Sequence, residues 1–100
     1  MSRLRRLDID DLILLRGLLE GKTITECAKS LFITQPACTM RIRRIEWCWG
    51  EQTIRTYHGR NVSLNDHGRM IAQTADEALK ILEALYEQIH REKTPRSEAS

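Results

Sequence analysis

Cysteine, proline and aromatic residues are scarce in this sequence, and long apolar runs are missing. Its 100 residues include three cysteines, two prolines and five aromatic residues. No apolar run approaches the roughly 20 residues of a membrane-spanning helix, which argues against a membrane partner. Cys27, Cys38 and Cys48 form no CxxC pair and no Cys/His cluster, which argues against a disulfide framework and a zinc site. We expect them to be small core residues in a reducing compartment.

Signatures of catalysis and of cofactor binding are also missing. The sequence has no glycine-rich loop to hold phosphates, no paired carboxylates, no Ser/His or Cys/His arrangement and no cluster of metal ligands. The basic N-terminus, "MSRLRRLDIDD", is not followed by the small residues of a cleavage site. We therefore expect a cytoplasmic protein that is not an enzyme and that binds neither a cofactor nor a metal.

The charge is unevenly distributed along the chain. With 41% hydrophobic and 30% charged residues, the composition is that of one globular domain. The net charge is only +2, but residues 29–60 contain six basic and two acidic residues, whereas residues 61–100 contain five basic and seven acidic ones. A basic middle favours contact with a polyanion on one side of the protein. An ordinary solvated basic face explains the charge alone equally well.

Capping residues and apolar spacing predict helices in the first half of the chain. The first helix, at about residues 9–20, follows the capping residue Asp8. The second begins after Thr23, which is placed to form a capping box with Glu26. Residues 32–33 then form a short apolar connection to the next helix.

The third helix has two different faces. Thr34 is its expected cap, and Pro36 is tolerated in the first turn because an amide there has no intrahelical partner. At about 100° per residue, one face is apolar. It comprises Cys38, Ile42, Ile45 and Trp49. The opposite face comprises Pro36, Met40, Arg43 and Trp47, flanked by Thr39 and Arg44. A short helix, a tight turn and a helix with a polar outer face predict a helix-turn-helix.

A small β-hairpin is predicted after these helices. Residues 54–57 and 61–64 are rich in β-branched or aromatic side chains, and "HGRN" supplies a turn between them. With helices on both sides, the fold class is mostly α with a small β-hairpin wing, which is a winged helix-turn-helix. The tip of the wing carries His58, Gly59 and Arg60.

A long amphipathic helix, capped by Asn65, follows the hairpin. Its apolar residues recur at alternating spacings of four and three, as in a heptad repeat. They are Ile71, Ala75, Ala78, Leu82, Leu85 and Ile89. Because so long a helix extends beyond a small domain, we expect the stripe to mediate dimerisation with a second copy. Packing of the whole stripe on its own domain is the alternative.

These features divide the chain into three parts. We expect a winged helix-turn-helix domain at residues 1–64, a long dimerisation helix at residues 65–91 and a flexible tail at residues 92–100.

Two segments, "TITECAKSLFITQPACTMRIRRIE" and "HGRNVSLNDHGR", resemble the N-terminal DNA-binding domain of LysR-type transcriptional regulators. The resemblance covers roughly residues 7–89. It implies a recognition helix in the major groove of double-stranded DNA, a wing that reaches the backbone or minor groove, and a homodimer on an inverted repeat. The residues that we expect at the DNA are Thr34, Gln35, Pro36, Thr39, Met40, Arg43, Arg44 and Arg60.

Three features depart from the pattern of that family. Arg55 lies one position before the usual arginine ahead of the wing, which puts its backbone contact in doubt. Trp47 and Trp49 replace commoner acidic and aliphatic residues. The larger effector-binding domain is missing from the sequence, so we expect no small-molecule effector site in this chain.

Two functions fit these features. One is a nucleoid-associated transcriptional regulator that binds specific DNA sequences as a dimer. The other is a protein-interaction module that pairs, through the last helix or Trp47, with a full-length relative or another partner. For Gln35 and Thr39, the alternative to DNA contact is that they only stabilise the start of the helix.

Overall fold

The computed structural model describes residues 3–50, 54–58 and 61–93. After a short 3-10 turn, Leu4–Arg6, three helices follow: α1 (Ile9–Leu19), α2 (Ile24–Ser30) and α3 (Gln35–Cys48). The chain continues with β1 (Arg55–His58), β2 (Asn61–Leu64) and α4 (Asp66–Lys93). The predicted winged helix-turn-helix with a long final helix is confirmed.

The helix starts follow from local side-chain chemistry. Asp8 accepts a hydrogen bond from the Asp11 amide, and the Asp11 carboxylate accepts one from the Asp8 amide. Thr23 and Glu26 make the same reciprocal pair at the start of α2, so both predicted caps are confirmed. The chain leaves α1 through Gly21, whose φ of 86° is a conformation that favours glycine.

The core lies where α1, α2 and α3 meet the base of the hairpin. Its fully buried side chains are Leu14, Leu15, Cys38, Ile42, Ile45 and Ile54. All three cysteines are buried and free. Burial raises the pKa of the Cys27 thiol to about 11, so that this group stays protonated at neutral pH.

Two apolar side chains lie outside this core, contrary to their expected place. Trp49 is the residue that caps the C-terminus of α3 and is 37% exposed, while Cys48 is buried at the end of the helix. Phe32, in the expected apolar connection, is 95% exposed. Its φ of 58° is unusual for a residue other than glycine.

The hairpin is anchored to α3 by a buried carboxylate. The strands pair antiparallel, with Arg55 opposite Leu64. Glu46 accepts hydrogen bonds from the Ile54 amide at 2.9 Å and from Arg55 Nε at 3.1 Å. The side chain of Arg55 is buried, which explains its unusual position before the wing.

The first half of α4 packs on α1. Ala72, Ala75 and Leu79 are buried there. Arg16 of α1 holds two carboxylates of α4, Asp76 at 2.6 Å and Glu83 at 2.9 Å. The hydrogen bonds from Arg16 hold the pKa values of both carboxyl groups below their usual range. These pairs therefore fix the direction in which α4 leaves the domain.

The predicted apolar stripe of α4 is divided into two parts. Ala75 is 5% exposed, and Ile71 is partly buried against the core, so this part of the stripe packs mainly on its own domain. Ala78 is half-buried. Leu82, Leu85 and Ile89, further along the helix, are exposed.

Gly68 is the tightest contact between α4 and the hairpin. A Cβ atom at this position would lie 2.2 Å from the Ile54 carbonyl oxygen, which itself accepts the Asn65 amide. We predict that Gly68→Ala lowers the free energy of unfolding by about 2 kcal/mol, within the range of overpacked sites. Urea unfolding followed by circular dichroism measures the change. Thr74→Ala, at an exposed position of the same helix, is the control, and an equal effect of both substitutions contradicts the prediction.

Candidate nucleic-acid interface

The start of α3 is presented to solvent by its cap and its first turn. The Thr34 hydroxyl accepts a hydrogen bond from the Ala37 amide at 3.2 Å, and the proline predicted for the first turn is there. The side chains of Thr34, Gln35 and Pro36 are exposed. The predicted cap of α3 is therefore confirmed.

The outer face of α3, defined by Gln35, Pro36, Thr39, Met40 and Arg43, is open to solvent. Met40 is 61% exposed, Arg43 is also exposed, and Thr39 is half-buried. The inner face of the same helix is fully buried. This arrangement leaves amide, hydroxyl, guanidinium and methyl groups together on one surface, which are the groups that read base edges in a major groove.

Gln35 is held by the neighbouring helix. The Thr25 hydroxyl of α2 lies 3.3 Å from Gln35 Oε1 and donates to it. No other described residue contacts the Gln35 amide group through a hydrogen bond, so its two N–H groups remain free to donate. A glutamine in this state matches acceptors such as purine N7.

Arg44 does not belong to the outer face. Its guanidinium donates to both oxygens of Asp11, at 2.8 and 2.6 Å, and to the Arg6 carbonyl. Asp11 is fully buried and also accepts from Arg41 at 2.9 Å. This side chain therefore binds α3 to α1. It is still 37% exposed, and its expected contact with DNA stays a prediction.

Arg41 has the same structural role. It bridges Asp8 and Asp11 at 3.0 and 2.9 Å. Burial raises the pKa of Asp8, but the Asp11 amide and the Arg41 guanidinium outweigh this effect, so the net shift is downward. Two of the three arginines of α3 are thus neutralised within the protein, and Arg43 supplies the exposed charge.

Arg60 and Gly59, expected at the wing tip, lie outside the described residues, and so does the side chain of His58. Their expected contacts stay predictions. The backbone of the hairpin reaches His58 on one strand and Asn61 on the other, which are paired in register.

Two contacts around α3 were not predicted from the sequence. The Asp11 carboxylate accepts hydrogen bonds from two arginines that lie 30 and 33 positions away in the chain. Arg3 packs on Trp47, with its guanidinium carbon 4.6 Å from the ring centroid. No local spacing rule connects residues so far apart, although unpaired arginines beside an apolar stripe are a general sign of such pairs.

A second exposed surface lies at the far end of α4. It is an apolar groove between α1 and the second half of α4. It is lined by Ile9, Ile13, Leu79, Leu82, Glu83, Leu85, Tyr86 and Ile89. Tyr86 stacks on His90 with ring centroids 3.9 Å apart, and Leu85 is 52% exposed. Exposed apolar surfaces of this kind mark interaction sites.

The described residues contain no group of three or more side chains that could hold a metal ion. In the same ranges, no helix has the length and apolar character needed to cross a membrane.

Comparison with solved structures shows which fold this is. BenM_DBD, in a crystal structure of its complex with benA site 1 DNA, has a TM-score of 0.75 at 21% identity, covering 89% of this chain and 99% of that one. VV2_1132, a LysR family transcriptional regulator, has a TM-score of 0.75 at 22% identity, covering 89% of this chain and 30% of that one. The fold is that of a LysR-type DNA-binding domain.

A third solved structure agrees. The probable transcriptional regulator PA0477 from Pseudomonas aeruginosa has a TM-score of 0.73 at 20% identity, covering 88% of this chain and 29% of that one. The chain thus spans less than a third of the length of these two regulators. Comparison of the sequence with models of protein families gives no match, and neither does comparison with curated proteins.

The two neighbouring arginines Arg43 and Arg44 offer a matched test of this interface. We predict that Arg44→Gln lowers the free energy of unfolding by about 2 kcal/mol, because it removes charge-assisted hydrogen bonds from the buried Asp11. Arg43→Gln, at an exposed position, changes stability by less than about 0.5 kcal/mol. Urea unfolding of both variants measures the difference. Equal destabilisation by the two substitutions contradicts the division of α3 into inner and outer arginines.

Proposed function

We propose that this chain is a transcriptional regulator that recognises specific sequences in double-stranded DNA. The observation that carries the proposal is the outer face of α3. On this face the side-chain N–H groups of Gln35 are free to donate, and Met40 and Arg43 are exposed. The fold supports it, since BenM_DBD has this fold and was solved in complex with DNA. As a regulator, the protein acts in the cytoplasm, at the nucleoid.

Each residue of the outer face has a distinct part in this proposal. Gln35 and Thr39 donate to and accept from base edges, while Met40 contacts a thymine methyl group. Arg43 contacts a phosphate or a guanine. Pro36 and Thr34 set the position of the helix start, and Arg60 contacts the backbone or minor groove from the wing. Phosphate contacts supply a salt-dependent part of the affinity, and base contacts supply the discrimination.

We further propose that the protein binds as a homodimer through the apolar groove. Residues 81–93 are exposed throughout, and Leu82, Leu85, Tyr86 and Ile89 form an apolar stripe along them. A second copy covers this stripe with the same residues, as a two-fold interface requires. Two recognition helices related by a two-fold axis read an inverted repeat. In this arrangement residues 1–64 bind DNA and residues 65–91 pair the subunits. Of the expected tail at residues 92–100, residues 92–93 belong to α4 and the others lie outside the described residues.

The proposal predicts a specific defect for Gln35→Ala. Loss of the base-reading amide weakens binding to the preferred sequence by about 1–3 kcal/mol and leaves binding to unrelated DNA almost unchanged. The experiment is selection of fragmented genomic DNA by the purified protein at near-physiological salt, followed by fluorescence anisotropy on the enriched duplex and on a scrambled one. Gln73→Ala, an exposed glutamine on α4, is the control.

Enrichment of one inverted-repeat sequence by the wild-type protein, lost in Gln35→Ala, supports sequence-specific recognition. Failure of the wild-type protein to enrich any sequence over bulk DNA overturns it. If the Gln35→Ala variant enriches the same sequence equally well, other residues of the outer face recognise the bases.

A substitution that introduces a charged side chain into the groove tests whether the groove is the dimer interface. We predict that Leu82→Glu raises the dimer dissociation constant at least about ten-fold, because the interface would bury an unpaired carboxylate beside Glu83. Sedimentation velocity over a concentration series measures this constant. Ala84→Glu adds the same charge on the opposite side of α4, at about 140° from Leu79, and is expected to leave the dimer intact.

A wild-type protein that is monomeric at working concentrations contradicts the homodimer. In that case the groove becomes the site of another partner, and the alternative of a protein-interaction module that pairs with a full-length relative is favoured.

A further inference from the structure

The N-terminal turn, Leu4–Arg6 together with Arg3, lies against the C-terminal half of α3. Arg3 donates a hydrogen bond to the Trp47 carbonyl oxygen at 3.2 Å, and its guanidinium lies over the Trp47 ring, 4.6 Å from the centroid. From the other side, Arg44 donates to the Arg6 carbonyl. These contacts dock the turn on the helix at both of its ends.

Trp47 connects this turn to the outer face of α3. It follows Arg43 by four residues, Met40 by seven and Pro36 by eleven, so at about 100° per residue all three lie within roughly 40° of Trp47 around the helix. Trp47 is 48% exposed, and Arg3 covers part of its ring. The N-terminal turn therefore continues the outer face beyond the last turn of the recognition helix.

The turn carries a concentration of positive charge with no acidic partner of its own. Arg5 and Arg6 are both exposed. Within residues 3–50, 54–58 and 61–93, neither makes an ion pair, and the nearby Asp8 is already engaged by Arg41 and Arg44. Exposed, unpaired guanidinium groups at the edge of a nucleic-acid surface are suited to phosphate oxygens.

We propose that the N-terminal turn is a second contact of the DNA interface, in which Arg5 and Arg6 pair with backbone phosphates flanking the groove that α3 occupies. Arg3 is a positioning residue, because its contacts with Trp47 hold the turn in place. The inference rests on the proposed function and extends it to residues outside the helix-turn-helix. Because phosphates carry no sequence information, these contacts add affinity for any duplex and no discrimination.

The test is the double variant Arg5→Gln/Arg6→Gln, measured by anisotropy on the enriched duplex and on a scrambled duplex over a range of salt. Each lost phosphate contact lowers the slope of log affinity against log salt by about 0.9. The double variant therefore loses about 1.8 from that slope for each bound subunit, or about 3.6 for the homodimer. As a result, the weakening between about 50 and 200 mM salt becomes roughly ten-fold smaller per subunit than in the wild type, or roughly a hundred-fold smaller for the homodimer. Both duplexes are expected to weaken by the same factor at low salt.

The control removes two charges elsewhere. Lys22→Gln/Lys93→Gln neutralises two exposed residues, one after α1 and one at the end of α4. It is expected to leave the slope unchanged and to change the affinity by no more than about two-fold. A slope in Arg5→Gln/Arg6→Gln equal to that of this control overturns the inference, while wild-type binding leaves the proposed function intact. Absence of wild-type binding to any duplex overturns both.

The positioning role of Arg3 depends on its contact with Trp47, and a double-mutant cycle at Trp47 tests it. Trp47→Ala removes the platform under Arg3 without changing the charge. It is expected to weaken binding to both duplexes in the wild-type background, and to have a smaller effect in the Arg5→Gln/Arg6→Gln background, since residues that act together are not additive. Equal effects of Trp47→Ala in the two backgrounds contradict the positioning role and leave the phosphate contacts to the salt measurement.

Discussion

The rest of the structure depends on the buried carboxylate of Asp11. It belongs to the capping box of α1, and it also accepts the guanidinium groups of Arg41 and Arg44 from α3. A buried carboxylate needs such partners, because leaving a charge unpaired in the interior is costly. One residue thus sets both the start of the first helix and the angle at which the recognition helix lies against it.

This pairing decides which charges the protein offers to a ligand. Arg41 and Arg44 point to Asp11 and Asp8, so they act as structural ties, whereas Arg43 stays exposed. Glu46 of α3 is a second buried carboxylate with such partners. It accepts hydrogen bonds from the Ile54 amide and from Arg55 at the base of the hairpin. The inner side of α3 is therefore bound to α1 and to the base of the hairpin through ion pairs, whereas Met40 and Arg43 on its outer side are exposed.

The long helix shows the same division along its length. Arg16 clamps Asp76 and Glu83, which fixes the direction of α4 where it leaves α1. Before that point its apolar residues fill the core, and after it they line an open groove. Within the residues that the structure describes, no further element covers the exposed half.

Much of the fold follows from the sequence by itself. Each helix cap accepts a hydrogen bond from the backbone amide three residues later, as Asp8, Thr23, Thr34 and Asn65 do. Apolar side chains recur with the helical period. The caps, the helices and the outer face of α3 are therefore determined by contacts within one or two turns. Only the tertiary structure decided the partners of Arg44, Arg55 and Arg3, and the point at which the stripe of α4 becomes free. The physical reason is distance along the chain. Ion pairs and burial between residues 9 to 67 positions apart depend on how whole elements pack, and no local pattern carries that information.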